Sequence, residues 1–188
     1  GEEGPLLEAF ARLCPPEVLL VLVPRHPQRF DEVAKLVKRA GLKLQKRSKG
    51  VPVMADTRVW LGDSMGEMYA YYGAADVAII GGSWARLGGQ NPIEASAVGC
   101  PVILGPHTFN FSVVCEQAIE VDAALRADNI ENGIQAALDG GDGGHPAASA
   151  WQPGAGGGGP SHHDPGGSGE PAASDHAGAG VGAAGTTA

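Results

Sequence analysis

The sequence predicts an α/β fold: a parallel sheet with crossover helices on both faces. Two observations carry this. The runs Val18 to Val23 and Val77 to Ile80 are unbroken apolar stretches, the pattern of strands buried on both sides rather than half-exposed ones. Segments of helical spacing separate the candidate strands, and such alternation builds parallel sheets.

Taken in order, Leu6, Leu7 and Phe10 lie at helical spacing in a short helix through Leu13, which Pro15-Pro16 break. Val18 to Val23 is the first buried strand, and Pro24-Arg25-His26-Pro27 follows at its C-terminal end, where open α/β sheets bind ligands. Asp31 can cap a helix to Arg39 with Val33, Leu36, Val37 and Ala40 on one face, ended by Gly41. Leu42 and Leu44 alternate with Lys43 and Gln45 in a weaker strand near an edge. A basic loop, Lys46 to Ala55, leads to a strand over Thr57 to Leu61. Ser64-Met65-Gly66-Glu67 reads as a capping box opening a helix through Tyr72.

The stretch from Val77 to Gly105 reads as strand, glycine-rich loop, helix and strand. Asn91 suits an N-cap, Pro92 the first helical position and Glu94 the third. Gly99 stops the helix and Pro101 prevents its resumption. A glycine loop entering a helix N-terminus is an anion site in principle, although the same Asn-x-x-Glu is equally a cap that satisfies only the backbone. Asn110 can cap a helix to about Glu120, Ala123 to Leu125 a last strand, and Asp128 a final helix with Ile130, Ile134 and Leu138 inward.

These elements place a domain at 1–139. From Gly140 the chain is Gly-, Ala- and Pro-rich and lacks Lys, Arg, Leu, Ile and Phe. Such a segment buries too little apolar area to offset about 1–2 kcal/mol of backbone entropy per residue, so 140–188 is expected to be a disordered low-complexity tail. His145, His162, His163 and His176 in it are a weak metal candidate.

With 188 residues and a net charge of −8, the chain is unsuited to a nucleic acid held by a positive surface. No apolar run reaches the roughly 18 residues of a membrane span, and no signal peptide opens the chain, so it is expected to be soluble. Cys14, Cys100 and Cys115 have neither metal nor CxxC spacing and read as reduced thiols, with Cys100 a core filler. There is no GxGxxG after the first strand, no Walker loop and no GxSxG elbow.

The candidate binding residues are therefore those on strand-to-helix loops. Arg25 and His26, held between prolines, suit a phosphate or carboxylate. The loop Gly62 to Met68 can offer backbone groups to a base edge, or be only a helix start. Met65, Met68, Tyr69 and Tyr72 suit packing at a core or groove. Ser83, with N–H groups near Gly82 and Gly88-Gly89, can hold phosphate, and Glu94 can accept from two ribose hydroxyls. His107 is a loop histidine without an evident partner.

Together, Pro24-Arg25-His26-Pro27 with Arg29-Phe30, Gly62-Asp63-Ser64-Met65-Gly66-Glu67-Met68, Gly81-Gly82-Ser83, Gly88-Gly89-Gln90-Asn91-Pro92-Ile93-Glu94, and Gly105-Pro106-His107-Thr108-Phe109-Asn110-Phe111 resemble the 3-deoxy-D-manno-octulosonic acid (Kdo) transferases of Gram-negative bacteria. The resemblance covers about Gly1 to Leu138. More distant bacterial glycosyltransferases share only Glu94, Gly99 and Pro101-Val102.

The resemblance implies the Rossmann-like, C-terminal donor-binding domain of a GT-B glycosyltransferase. The donor would be CMP-Kdo and the acceptor a lipid A precursor, with the anomeric centre inverted. The whole enzyme would work at the cytoplasmic face of the inner membrane. Carried onto this chain, Glu94 would hold the ribose. Gly82, Ser83 and Asn91, with Arg25 and His26, would surround the phosphate and the sugar carboxylate. Met65, Gly66, Glu67 and Met68, after Gly62, would lie against cytosine.

No cofactor and no metal at the cleavage step are implied. No catalytic residue is expected in this chain, because the family's carboxylate base belongs to an N-terminal acceptor domain. The chain alone would then bind donor without turnover. Three departures from the family stand out. Gly1-Glu2-Glu3 matches only the tail of a motif that continues upstream. Gln90 stands where many relatives have His. The tail after Leu138 is unlike the family, as a reading-frame change would make it. A UDP-sugar transferase domain and a non-catalytic nucleotide-binding or interaction module are the alternative readings.

Overall fold

The computed structural model describes residues 1–140 and the strand 180–184. It contains six helices, α1 (Glu3–Leu13), α2 (Phe30–Arg39), α3 (Met68–Ala74), α4 (Ile93–Ala97), α5 (Ser112–Glu120) and α6 (Ile130–Asp139), among the described residues. The strands are β1 (Leu19–Leu22), β2 (Leu44–Lys46), β3 (Val59–Leu61), β4 (Val77–Ile80), β5 (Val102–Leu104), β6 (Ala124–Arg126) and β7 (Gly180–Ala184). They form one sheet in the order β2-β3-β1-β7-β4-β5-β6, and every adjacent pair is parallel. The expected α/β architecture is present.

Side-chain alternation along the buried strands divides the interior into two layers. Val77 and Ile79 of β4, with Leu20, Leu22, Val59, Leu61 and Ile103, face a core closed by α1, α2 and α6. Ala78 and Ile80, with Val102, Leu104 and Ala124, face a second core under Tyr72 of α3, Ala95 of α4 and Cys115 of α5. An unbroken apolar run is what two covered faces require. Each leucine or isoleucine buried in these layers contributes about 1.5–3 kcal/mol of transfer free energy. Helix α1 is further joined to the turn that enters α2 by a buried ion pair, Arg29 Nη1 to Glu3 Oε1 at 2.8 Å.

Several element ends differ from the sequence expectation, and three of the side chains expected as caps, Ser64, Asn110 and Asp31, bond to other side chains or to a distant carbonyl. Ser64 is not the cap of α3. Its hydroxyl donates to the Glu67 carboxylate and lies 2.9 Å from the Tyr71 hydroxyl, and the helix begins at Met68. Asn110 does not cap α5; its amide donates to the carbonyl of Leu87 at 3.0 Å. Asn129, not Asp128, caps α6 by accepting from the Asn132 N–H at 2.8 Å. Asp31 lies inside the first turn of α2 and pairs with Lys46.

The tail expectation changes at 180–184. This segment pairs on one side with β1, Leu20 opposite Val181, and on the other with β4, Ile79 opposite Ala183. Composition argues against a free segment of this kind ordering by itself; it does not account for two flanking strands that supply partners to both edges of its backbone. The remainder of the expected tail, with His145, His162, His163 and His176, lies outside the described residues.

Candidate functional site

The carboxyl ends of β1, β3, β4 and β5 open on one side of the sheet, and their loops surround a cavity of about 600 Å³. That volume falls in the range of small-ligand sites. One wall is Val23, Pro24 and Arg25, which follow β1; a second is Ser64 to Met68 with Tyr71 and Tyr72; the third comprises Leu87, Gly89, Gln90, Asn91 and Glu94, with Asn110 and Phe111 beyond. Of the residues expected at a ligand, Arg25, Met65, Gly66, Glu67, Met68, Asn91 and Glu94 are brought together here.

The first wall carries an exposed guanidinium. Arg25 Nη1 donates to Gln90 Oε1 at 3.0 Å, which spans the cleft between the loops after β1 and β4. An anion arriving between them would find a planar donor already oriented by a neutral acceptor. Glu94 stands in the first turn of α4. Burial, and then the negative charge of Glu94, push the Tyr72 hydroxyl well above its ordinary range, so Tyr72 is a neutral donor or acceptor beside that carboxylate. Asn91 closes the entry to α4 by accepting from the Ile93 N–H at 2.9 Å. It acts one residue ahead of the assigned cap, Pro92, as its sequence position suggests. Gly99, at φ +74°, ends the same segment in the left-handed conformation.

The second wall is braced from below. Glu67 accepts from Ser64, from the Tyr71 hydroxyl at 2.9 Å and from Arg47 Nη2 at 2.8 Å. The Ser64 and Tyr71 hydrogen bonds, with the Arg47 charge behind them, hold its carboxyl below the usual carboxylate range. The neighbouring Asp63 accepts from the Ser48 N–H and hydroxyl, both at 2.7 Å. Tyr71 packs edge-on against Trp60, ring centroids 5.7 Å apart. Arg47 and Ser48 were not singled out from the sequence. The only signal was the basic loop before β3, which alone does not say which carboxylates it meets. Met65 remains 64% exposed at the cavity mouth, and Tyr69 is exposed rather than packed.

Four of the expected residues stand away from the lining: His26, Gly62, Gly82 and Ser83. His26 is half-buried beside the 3₁₀ turn Pro27–Arg29, where its carbonyl accepts from the Arg29 N–H. Gly62 lies under the second wall; a Cβ there would sit 3.0 Å from Val23 Cγ2 and 3.1 Å from the Tyr71 ring, so its role in the fold is close packing. Ser83 is fully buried. Its hydroxyl donates to the Ile80 carbonyl at 2.6 Å and accepts from the Gly105 N–H at 2.8 Å, tying the end of β4 to the end of β5. Gly105 must be glycine for the same contact, because a Cβ would meet the Ser83 carbonyl oxygen at 2.4 Å.

The anion-binding geometry expected at the start of α4 is also elsewhere. That helix has only five residues, too few to align a substantial dipole. Converging N–H groups occur instead at 82–85, where Gly82 donates to Glu2 Oε2 at 2.5 Å, Trp84 to Glu2 Oε1 at 2.9 Å, and Ala85 to the same oxygen. A side chain already holds that position. The sequence pointed to the N–H groups near Gly82 but not to their occupant, since Glu2 and Gly82 are 80 residues apart.

The three thiols are inert packing groups. Burial pushes Cys100 up to about 12 and Cys14 up to about 11, and raises Cys115. Among the described residues no group of three or more His, Cys, Asp or Glu side chains converges as for a metal, and no helix is long and apolar enough to cross a membrane.

No family model matches the chain. It is 51% identical over 144 residues to the 3-deoxy-D-manno-octulosonic acid transferase of Bordetella pertussis, covering 73% of this chain and 34% of the relative. It is 41% identical over 145 residues to that of Haemophilus influenzae, covering 74% and 34%. The chain thus spans about a third of the length of the curated relatives it matches. A solved structure, the C-terminal CMP-Kdo binding domain of WaaA from Acinetobacter baumannii, superposes with a TM-score of 0.73 at 32% identity, covering 79% of this chain and 80% of that one. By sequence identity along most of its length and by its fold, the chain belongs to the 3-deoxy-D-manno-octulosonic acid transferase family, and the part of the family it matches is the C-terminal domain.

Proposed function

We propose that this chain is the donor-binding part of a Kdo transferase and that the cavity receives CMP-Kdo. The observation that carries the reading is the pairing, across one cleft at the carboxyl ends of the strands, of Arg25 on the first wall with Glu94 on the third. A cytidine monophosphate ester of an acidic sugar presents anionic oxygens at one end and ribose hydroxyls further along. Arg25 suits the phosphate and the sugar carboxylate. Glu94, an ionised acceptor, suits two vicinal hydroxyls. The wall from Met65 to Met68, braced through Glu67, offers an apolar and backbone surface for the base, and Asn91 adds a polar group between them. The hydrogen-bonding groups of Gly82 and Ser83 serve the fold, so the phosphate is held by Arg25 rather than by that turn.

In the whole enzyme Kdo would leave CMP for a sugar hydroxyl of a lipid A precursor with inversion. The hydroxyl's proton would pass to a carboxylate outside this chain, since a general base must lie within hydrogen-bond reach. No metal or cofactor takes part in this reading, and the enzyme would act at the cytoplasmic face of the inner membrane. The test is calorimetric titration of the 188-residue chain with CMP and with UMP. Saturable CMP binding, weaker with UMP and lost in Glu94→Ala, supports the reading. Equal or tighter binding of UMP favours a UDP-sugar transferase domain. No binding by a chain that melts cooperatively contradicts a donor site.

A further inference from the structure

We infer that Glu2 is a positioning residue for the donor cleft: its carboxylate acts as a resident anion that sets the shape of the loop 81–90. The inference rests on the donor-site reading above. Glu2 lies at the start of α1 and does not cap that helix with its side chain. It is 7% exposed and does not line the cavity. Its two oxygens instead accept three backbone N–H groups, from Gly82, Trp84 and Ala85. Successive N–H groups converging on one point form an anion nest, and a nest without an anion leaves buried donors unsatisfied.

The turn at 82–85 is continuous with the cavity wall. The Gly89 N–H donates to the Gly82 carbonyl at 2.8 Å, and the Gln90 N–H to the Gly81 carbonyl at 3.0 Å. These bonds close the loop on itself, so the nest and the wall form one backbone unit. Ser83 fixes the unit to β5 through Gly105. Gly89, Gln90 and Asn91, at the far end of the unit, face the cleft, and Gln90 orients Arg25. Glu2 therefore acts on the ligand through the loop and through Arg25, without touching it. Glutamine at position 2 would keep the volume and set an amide N–H₂ against one of the N–H donors. Aspartate would keep the charge but shorten the reach, so that it cannot span all three donors.

The experiment compares the wild-type chain, Glu2→Gln, Glu2→Asp and a control on the exposed face of α1, Glu8→Gln, by CMP titration and by amide hydrogen exchange at Gly82, Trp84 and Ala85. The expected result is a CMP affinity about tenfold weaker in Glu2→Gln, well below its melting temperature, with faster exchange at those three amides. Glu2→Asp should fall between it and the wild type, and Glu8→Gln should be unchanged. A role in stability alone would lower the melting temperature and leave the affinity of the folded protein intact; that result overturns the proposal, as does unchanged exchange at the three amides. If Glu2→Gln no longer melts cooperatively, Glu2→Asp decides by the same criteria. Failure of the wild type to bind CMP counts against the donor-site reading, and the hold of Glu2 on the loop is then decided by exchange alone.

Discussion

Replacing Ser83 by alanine separates a fold-holding hydroxyl from a phosphate ligand. The hydroxyl is fully buried and makes two hydrogen bonds, to Ile80 O at 2.6 Å and from Gly105 N at 2.8 Å. Alanine removes both. The Gly105 N–H is then buried without a partner, at a cost of about 1–3 kcal/mol, and the Ile80 carbonyl loses a donor worth about 0.5–1.5 kcal/mol. Together these come to about 1.5–4.5 kcal/mol. With a urea m-value of about 2 kcal/mol/M, the unfolding midpoint should fall by about 1–2 M at unchanged slope. Tryptophan fluorescence and far-ultraviolet circular dichroism should report the same transition. Below that transition the CMP affinity should change less than threefold. A midpoint that hardly moves, together with a large loss of CMP affinity, would refute the reasoning and make Ser83 a ligand residue.

Gly105→Ala should destabilise by about 1–3 kcal/mol or more, since its Cβ would meet the backbone of Ser83 and Trp84. Gly4→Ala, with nothing within 4 Å of the new Cβ and a place in α1, should instead stabilise by about 0.5–1 kcal/mol; equal effects in urea melts would contradict the packing described. Glu67, whose carboxyl lies below its ordinary range, contributes stability above its unfolded pKa of about 4.3, and that contribution is lost as pH falls through the lower folded value. The stability gap between wild type and Glu67→Gln should therefore be full at pH 6 and close toward pH 3; a gap independent of pH would dismiss the Ser64, Tyr71 and Arg47 contacts as its source. With their thiols shifted upward by burial, Cys14, Cys100 and Cys115 should resist a disulfide reagent at pH 8 in the native chain and react promptly in urea; rapid native reaction would contradict their packing.

The parts of the fold that were legible in the sequence are those fixed by local chemistry. Val77 to Ile80 could only be a strand covered on both faces, and Gly99 and Asn91 do at their positions what those residue types do in isolation. Ser64, Asn110 and Asp31 have the right types for caps, but Ser64 bonds to Glu67 and Tyr71 on its own loop and helix, and Asn110 and Asp31 reach Leu87 and Lys46. β7 was not legible, because its order depends on β1 and β4 rather than on its own composition. In the site, Arg25, Glu94 and the Met65 to Met68 wall could be found because they sit on loops after strands. Gly82 and Ser83 occupy equivalent places in the sequence, yet they turn inward, and only the packing of β4 against β5 and the distant Glu2 carboxylate explains why. The basic loop around Arg47 and the motif tail at Gly1-Glu2-Glu3 were legible as such, but the partners were not, since each side chain acts across a long sequence separation.

The central claim is that the cleft formed by the loops after β1, β3 and β4 receives a cytidine nucleotide. Its most direct measurement is amide hydrogen exchange of the whole chain with and without saturating CMP. Slower exchange confined to 23–25, 64–68 and 87–94 is the predicted result. Unchanged exchange in those segments, or protection centred on α1, α2 and α6 across the sheet, would contradict it.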